Sequence, residues 1–162
     1  MFGLSDDILI YKEYIKELGQ YDDYLASMSD MDIADTVYAY RYQEDTEWVD
    51  IYYNRRIVGF MIVSSNDGEC HPDADKEICQ IYVRPEYRRK HLAYSTVANY
   101  LMSHPGIYSY DIFKTNNQAQ EFWESVLKRV HARTVDLNEV RTDPKVIKNL
   151  DLYGCVVEGN TK

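Results

Sequence analysis

The stretch Glu77–Ala93, EICQIYVRPEYRRKHLA, carries the residues best suited to holding a ligand. Arg88, Arg89 and Lys90 stand side by side, and just after them the apolar positions Leu92, Ser95/Thr96, Ala98/Asn99 and Leu101/Met102, thickened by Val97 and Tyr100, recur at helical spacing. The spacing predicts a helix starting near His91. Its first turn exposes main-chain N–H groups and the positive end of the helix dipole, and three cations sit immediately before it. Together these make a site for an anion such as a pyrophosphate. A basic triplet alone is more commonly a solvated turn, so the neighbouring elements carry the weight.

Those elements read as follows. Ile78–Val83 is too short for a helix and rich in β-branched and aromatic residues, which predicts a buried strand ending at Arg84 before Pro85. Upstream, Ser5 with Asp6 and Asp7 resembles a helix cap, followed by Ile8, Tyr11, Ile15 and Leu18 on one face and Gly19 as a stop. Tyr21, Tyr24, Leu25 and Met28 repeat the spacing, and Ser29 with Asp32 forms a capping-box pattern ahead of Ile33, Val37 and Tyr40. Trp48–Tyr53 and Ile57–Val63 read as strands of an antiparallel hairpin joined by Asn54, Arg55 and Arg56, and Ser64–Lys76 as a polar loop whose His71 lacks metal-ligand spacing. After the central helix, His104-Pro105-Gly106 is a stop and Ile107–Phe113 a strand, so strand, helix and strand imply a parallel right-handed crossover. Asn116 or Asn117 can cap a last helix with the stripe Ala119, Phe122, Trp123, Val126 and Leu127. Ala132–Val140 and Leu150–Val157 read as strands around a loop containing Pro144, and Gly159–Lys162 as a tail.

A chain of 162 residues is expected to form one domain, residues 1–162, with a helical acidic part (1–45), a sheet and ligand core (46–113) and a C-terminal helix with strands (114–162). Sixteen tyrosines suggest packed surfaces that keep a polar tip in water. The net charge of −9 argues against general binding to nucleic acid or anionic membrane. Its distribution is uneven: through Asp50 thirteen acids face three bases, whereas from Arg84 to Lys90 four bases face one acid. One end suits a cation and another an anion. Cys70, Cys79 and Cys155 are odd in number and without metal-ligand spacing, which fits reduced thiols in a cytoplasmic protein. The acidic start MFGLSDD has no basic n-region, and no apolar run reaches bilayer length.

Strand, Val-Arg-Pro-Glu-Tyr-Arg-Arg-Lys, then helix resembles the acetyl-CoA-binding core of the GCN5-related N-acetyltransferases, whose signature is Gln or Arg, two residues, Gly, one residue, Gly or Ala. Arg88 and Ala93 match its ends, and His91 stands at the first glycine. Asn116, Ala119 and Phe122 resemble a second family segment. The order of elements after Trp48 also fits, so the resemblance covers about two thirds of the chain. It implies an α/β (α+β) fold: a mixed, mostly antiparallel sheet flanked by helices, with a parallel strand-helix-strand core at the cofactor cleft. It further implies acetyl-CoA as cosubstrate, no metal, and transfer of an acetyl group to a primary amine of a small molecule or protein. In the family the N-terminal helices form a wall of the acceptor groove, so their acidity favours a cationic amine. Nucleic acid and membrane are not expected as partners, and a homodimer is compatible with the reading.

The resemblance places Glu77 where some family members use a glutamate as base, with a charged loop end as the equally weighted plain reading. Ile81, Tyr82 and Val83 would present main chain to the pantetheine arm, and Arg88, Arg89, Lys90, His91, Leu92 and Ala93 would cradle the pyrophosphate, with Asn116 and Trp123 completing the cofactor set. Trp123 occupies a position where the family often has a tyrosine that protonates the leaving thiolate. An indole N–H cannot act as an acid near neutral pH, so Trp123 fits the core or the cofactor arm, and Tyr82, Tyr87 or Tyr94 could substitute. Of these, Tyr82 is expected to be catalytic. At His91 a glycine's freedom is absent. Its side chain points away, or the imidazole contacts phosphate, or the site has decayed. Leu127 is a further departure, at a family glycine. The alternative function is a catalytically inactive binding or structural module of the same fold.

Overall fold

Residues 4–65, 74–135 and 150–158 are described by a computed structural model. His71, Cys70, the Pro144 loop, residues 136–140 and the expected tail lie outside them. Three helices lead the chain: α1 (Leu4–Leu18), α2 (Asp23–Ala26) and α3 (Asp30–Tyr42). The capping box of α3 forms as its sequence indicates, Asp32 N–H reaching Ser29 Oγ at 3.1 Å and Ser29 N–H reaching Asp32 Oδ2 at 3.2 Å. Two expectations shift. Helix α1 already includes Leu4, so Ser5 lies inside its first turn, and Tyr21–Met28 yields only the single turn of α2 capped by Asp22. The expected stripe of α1 faces inward, Tyr11 and Ile15 buried and Ile8 and Leu18 packed partly buried against the same core, and the buried side is wider than expected, taking in Asp7, Ile10 and Tyr14 as well.

Six strands form one sheet, β1 (Thr46–Tyr53), β2 (Arg56–Ser65), β3 (Lys76–Val83), β4 (Gly106–Phe113), β5 (Arg133–Val135) and β6 (Leu150–Val157), in the order β1-β2-β3-β4-β6-β5. Every pairing is antiparallel except β3 with β4. The β1–β2 connection is tighter than expected: Tyr53 pairs with Arg56, and Asn54 (φ 50°) and Arg55 (φ 68°) make a two-residue turn of the type whose twist suits a hairpin. Between β3 and β4 runs α4 (Leu92–Ser103), the expected parallel crossover, and α5 (Asn117–Arg129) follows β4. The mixed, mostly antiparallel sheet flanked by helices is thus as the resemblance implied.

The sheet separates two cores. On one face α4 and α5 bury Val97, Leu101, Trp123 and Val126 against Met61, Val63, Ile78 and Tyr110; on the other α1 and α3 bury Tyr11, Ile15 and Val37 against Phe60, Ile62 and Tyr82. The tyrosines are not confined to wet surfaces. Tyr11 and Tyr108 are 2% and 1% exposed, because a buried phenol costs little once its hydroxyl is satisfied. Tyr108 does so on the His104 carbonyl at 2.5 Å.

Two irregularities in β3 shape the centre of the molecule. Val63 faces Ile78 while Ile62 faces Gln80, so Cys79 is the extra residue of a β-bulge. The parallel ladder runs only from Lys76↔Tyr108 to Ile78↔Tyr110. Beyond it β3 stays with β2 and β4 stays with β6, so the two central strands part. Gly59 lets β2 follow β3 to its end, since a Cβ there would lie 2.2 Å from the Tyr82 carbonyl oxygen.

Candidate active site

Past Val83 the chain makes a 3-10 turn, Pro85–Tyr87, and enters α4 through His91. The local cluster of Ile51, Val58 and Val83, onto which Leu92 and Ala93 pack, presses the start of α4 against the end of β3. Arg89 (φ 66°) and His91 (φ 57°) both take the left-handed conformation. Such left-handed residues in a turn direct successive N–H groups into a concavity suited to an anion. Arg88 N–H is bonded to the Pro85 carbonyl at 3.2 Å and Ser95 N–H to the His91 carbonyl at 2.9 Å; the six amides between, Arg89 to Tyr94, have no acceptor among the described residues. That is more donor capacity than an ordinary helix start provides. A turn of this kind suits an anion of the size of a diphosphate, and beyond Ile78 the β4 side of β3 carries no ladder.

The left-handed conformation of His91 explains why a glycine suits this position. The histidine has adopted the glycine's backbone at a cost, and its exposed imidazole lies edge-on to Tyr94 with ring centroids 5.9 Å apart. The basic triplet is less uniform than its sequence suggests. The Arg88 guanidinium is 2.6 Å from Glu17 Oε2 and 2.8 Å from the Val83 carbonyl and lies over the Tyr82 ring, while Lys90 Nζ lies 5.1 Å from the centre of the Tyr53 ring. Arg89 forms no ion pair among the described residues.

Glu77 is 6% exposed. It pairs across the sheet with Ser64 on β2 and Ser109 on β4, which puts all three on the α1/α3 face, and Cys79 Sγ lies 4.0 Å from its Oε2. The Ser109 hydroxyl is fully buried with no partner among the described residues. Gln80 donates to the Tyr40 hydroxyl on the same face at 3.3 Å.

Tyr82 also points to that face, where its ring meets Tyr14 at 5.5 Å. Burial, then the carboxylates of Glu13 and Glu17, push its phenol up to about 12, against the opposing pull of Arg88 and Arg84. A phenol so perturbed is a weaker acid than a free one. Ile81 packs toward α4 and α5. Asn116 caps α5, its Oδ1 accepting from Ala119 N–H at 3.1 Å. Trp123 is stacked on Tyr110 at 4.0 Å in the core, the first of the two places its indole was expected. Tyr87 rests against Tyr53. Neither Ser109, a lone hydroxyl in the apolar run IYSYDIF, nor Glu13 and Glu17, whose signal is one helical turn of spacing, stands out in the sequence as a site residue.

Residues 10–127 match the acetyltransferase (GNAT) family, and the chain belongs to it. In fold it is similar to an N-acetyltransferase from Staphylococcus aureus Mu50 (TM-score 0.65, 12% identity, covering 96% of this chain and 97% of that one). It also resembles the PaiA N-acetyltransferase from Thermoplasma acidophilum, solved in complex with coenzyme A (0.60, 14%, 93% and 91%). A third similar structure is the microcin C7 self-immunity acetyltransferase MccE, in complex with acetyl-CoA and AMP (0.60, 9%, 95% and 87%). At these identities the likeness carries the fold. No curated protein matches the chain significantly in sequence. Among the described residues no helix is long and apolar enough to cross a membrane, and no three His, Cys, Asp or Glu side chains gather as a metal site.

Proposed function

We propose that the protein is an acetyl-CoA-dependent N-acetyltransferase whose acceptor is a cationic primary amine, on a small molecule or a protein. The observation that carries this reading is the run of six unpaired amides, Arg89 to Tyr94, beside the gap between β3 and β4. Those amides, with Arg89 and Lys90, would hold the diphosphate, and the main chain of Ile81–Val83 would face the pantetheine arm. Acetyl-CoA supplies the activated thioester. The chain's own contribution is orientation and proton removal. Glu77, buried on the face of the acidic helices, accepts the proton that the ammonium must lose, directly or through water, before its nitrogen can attack. The charge of the N-terminal segment supports a cationic acceptor: through Asp50 thirteen acids stand against three bases.

The test is a screen of polyamines, amino sugars, lysine peptides and N-terminal peptides with release of CoA thiol as readout, alongside thermal stabilisation by CoA. Turnover with any cationic amine supports the reading. A second reading, a non-catalytic module, draws on Trp123, which stands at the chain position where the family often has an acid tyrosine and is stacked on Tyr110 in the core. Stabilisation by CoA without thiol release from any amine would favour it. Absence of stabilisation would sink both as far as acetyl-CoA is concerned.

A further inference from the structure

Helix α1 reaches the turn that leads from β3 into α4. Glu13 and Glu17 are one helical turn apart, and each reaches an arginine 71 residues along the chain: Glu13 Oε2 lies 2.7 Å from Arg84 Nε, and Glu17 Oε2 lies 2.6 Å from Arg88 Nη2. Arg84 and Arg88 bracket the 3-10 turn Pro85–Tyr87. Both arginines are further tied down. Arg84 N–H bonds to the Val58 carbonyl at 2.9 Å, and Arg88 Nε bonds to the Val83 carbonyl at 2.8 Å. The four charged side chains are between 24% and 42% exposed, so screening is incomplete, and all four act on the Tyr82 hydroxyl between them.

The pairing has a consequence for charge. Two carboxylates beside a site for a diphosphate cancel the attraction of two guanidinium groups, so these arginines add little net field for the ligand. Their geometric effect is larger: they fix where the chain leaves β3, and hence how the amides of Arg89–Tyr94 are aimed.

We propose that Glu13 and Glu17 are positioning residues which, through Arg84 and Arg88, hold the cofactor turn in its binding shape and join α1 to the cradle. The inference rests on the cradle being the acetyl-CoA site, and the sign of one effect separates it from simple electrostatics. Removing a negative charge near a polyanion's site strengthens binding by Coulomb's law. Removing a clasp weakens it.

Glu86 is the control. It is exposed in the same turn and makes no ion pair among the described residues. Calorimetry with CoA on the full chain should show Glu17→Gln weakening binding about 3- to 10-fold, and Glu13→Gln/Glu17→Gln more, while Glu86→Gln binds as tightly as the parent or tighter. A ligand-free arm uses the trypsin sites at Arg88, Arg89 and Lys90: at matched melting temperature Glu17→Gln should be cut there several-fold faster than Glu86→Gln. Equal cutting of the two variants overturns the proposal, as does CoA binding by Glu17→Gln that is unchanged or tighter. Failure of the parent to bind CoA removes the acetyl-CoA reading, and the trypsin arm still decides whether the clasp exists.

Discussion

If main-chain amides hold the diphosphate, deleting one should be felt more than deleting a nearby side chain. Ala93→Pro does this with little other change. Ala93 is the second residue of α4, and the first bond to a carbonyl at this end of the helix is Ser95 N–H to His91, so a proline at 93 breaks no existing hydrogen bond. Its cost to the fold is the restriction it places on helical Leu92, about 1 kcal/mol. An amide bonded to an ionised phosphate is charge-assisted and contributes about 1.5–3 kcal/mol, which is roughly a 10- to 150-fold loss in affinity for CoA. With CoA at a hundredfold excess over the parent Kd, the ligand's stabilisation should fall from about 2.7 to about 1.4 kcal/mol or less. Ala93→Ser, which keeps the N–H, is the control for bulk, and pantetheine, which lacks the diphosphate, is the control ligand. Calorimetry should show Ala93→Pro weakened toward CoA and unchanged toward pantetheine. Equal CoA affinity for folded Pro and Ser variants would refute the main-chain cradle.

Glu77→Gln should lower turnover more at low pH than at high pH, because a base matters less once the amine is already neutral; a pH profile parallel to the parent's removes Glu77 from that role. His91→Gly should leave stability within about 1 kcal/mol of the parent, since relief of the left-handed strain is offset by glycine's unfolded-state entropy, whereas His91→Val should cost more, as urea titration of both will show. Burial pushes the Cys155 thiol up from 9.0 to about 12. A raised value means that stability is intact below pH 9 and is lost as pH rises toward 12, by about 1 kcal/mol at pH 10. Cys155→Ala should show a correspondingly smaller drop between pH 8 and pH 10, and an identical drop would show that the thiol ionises as freely folded as unfolded. Gly59→Ala should destabilise by about 1–3 kcal/mol in chemical unfolding, because its Cβ would meet the Tyr82 carbonyl; a neutral result would mean that β2 can shift without cost.

Local pattern was enough for the elements and their order. The Ser29/Asp32 capping box, the Ile78–Val83 strand, the helix from Leu92 and the Asn116 cap all depend on neighbours within a few residues, and each appears close to where its residues indicate. The stripe on α1 was legible as a helix and in the face it turns inward but not in its breadth, because Tyr14 is buried by Phe60 and Tyr82 on strands far along the chain. A turn such as α2 is too short for periodicity to separate from a longer helix.

The candidate site divides along the same line. The chain by itself determined that a basic turn runs into a helix after a buried strand, and that an acidic helical segment precedes them, because charge and short-range spacing are properties of the sequence. Only the tertiary structure decided that Arg88 is clasped by Glu17, that Ser64 and Ser109 flank Glu77, and that β3 leaves β4 after Ile78. Those facts depend on strand register and on contacts between residues dozens of positions apart, where a shift of one residue would turn each side chain to the other face of the sheet.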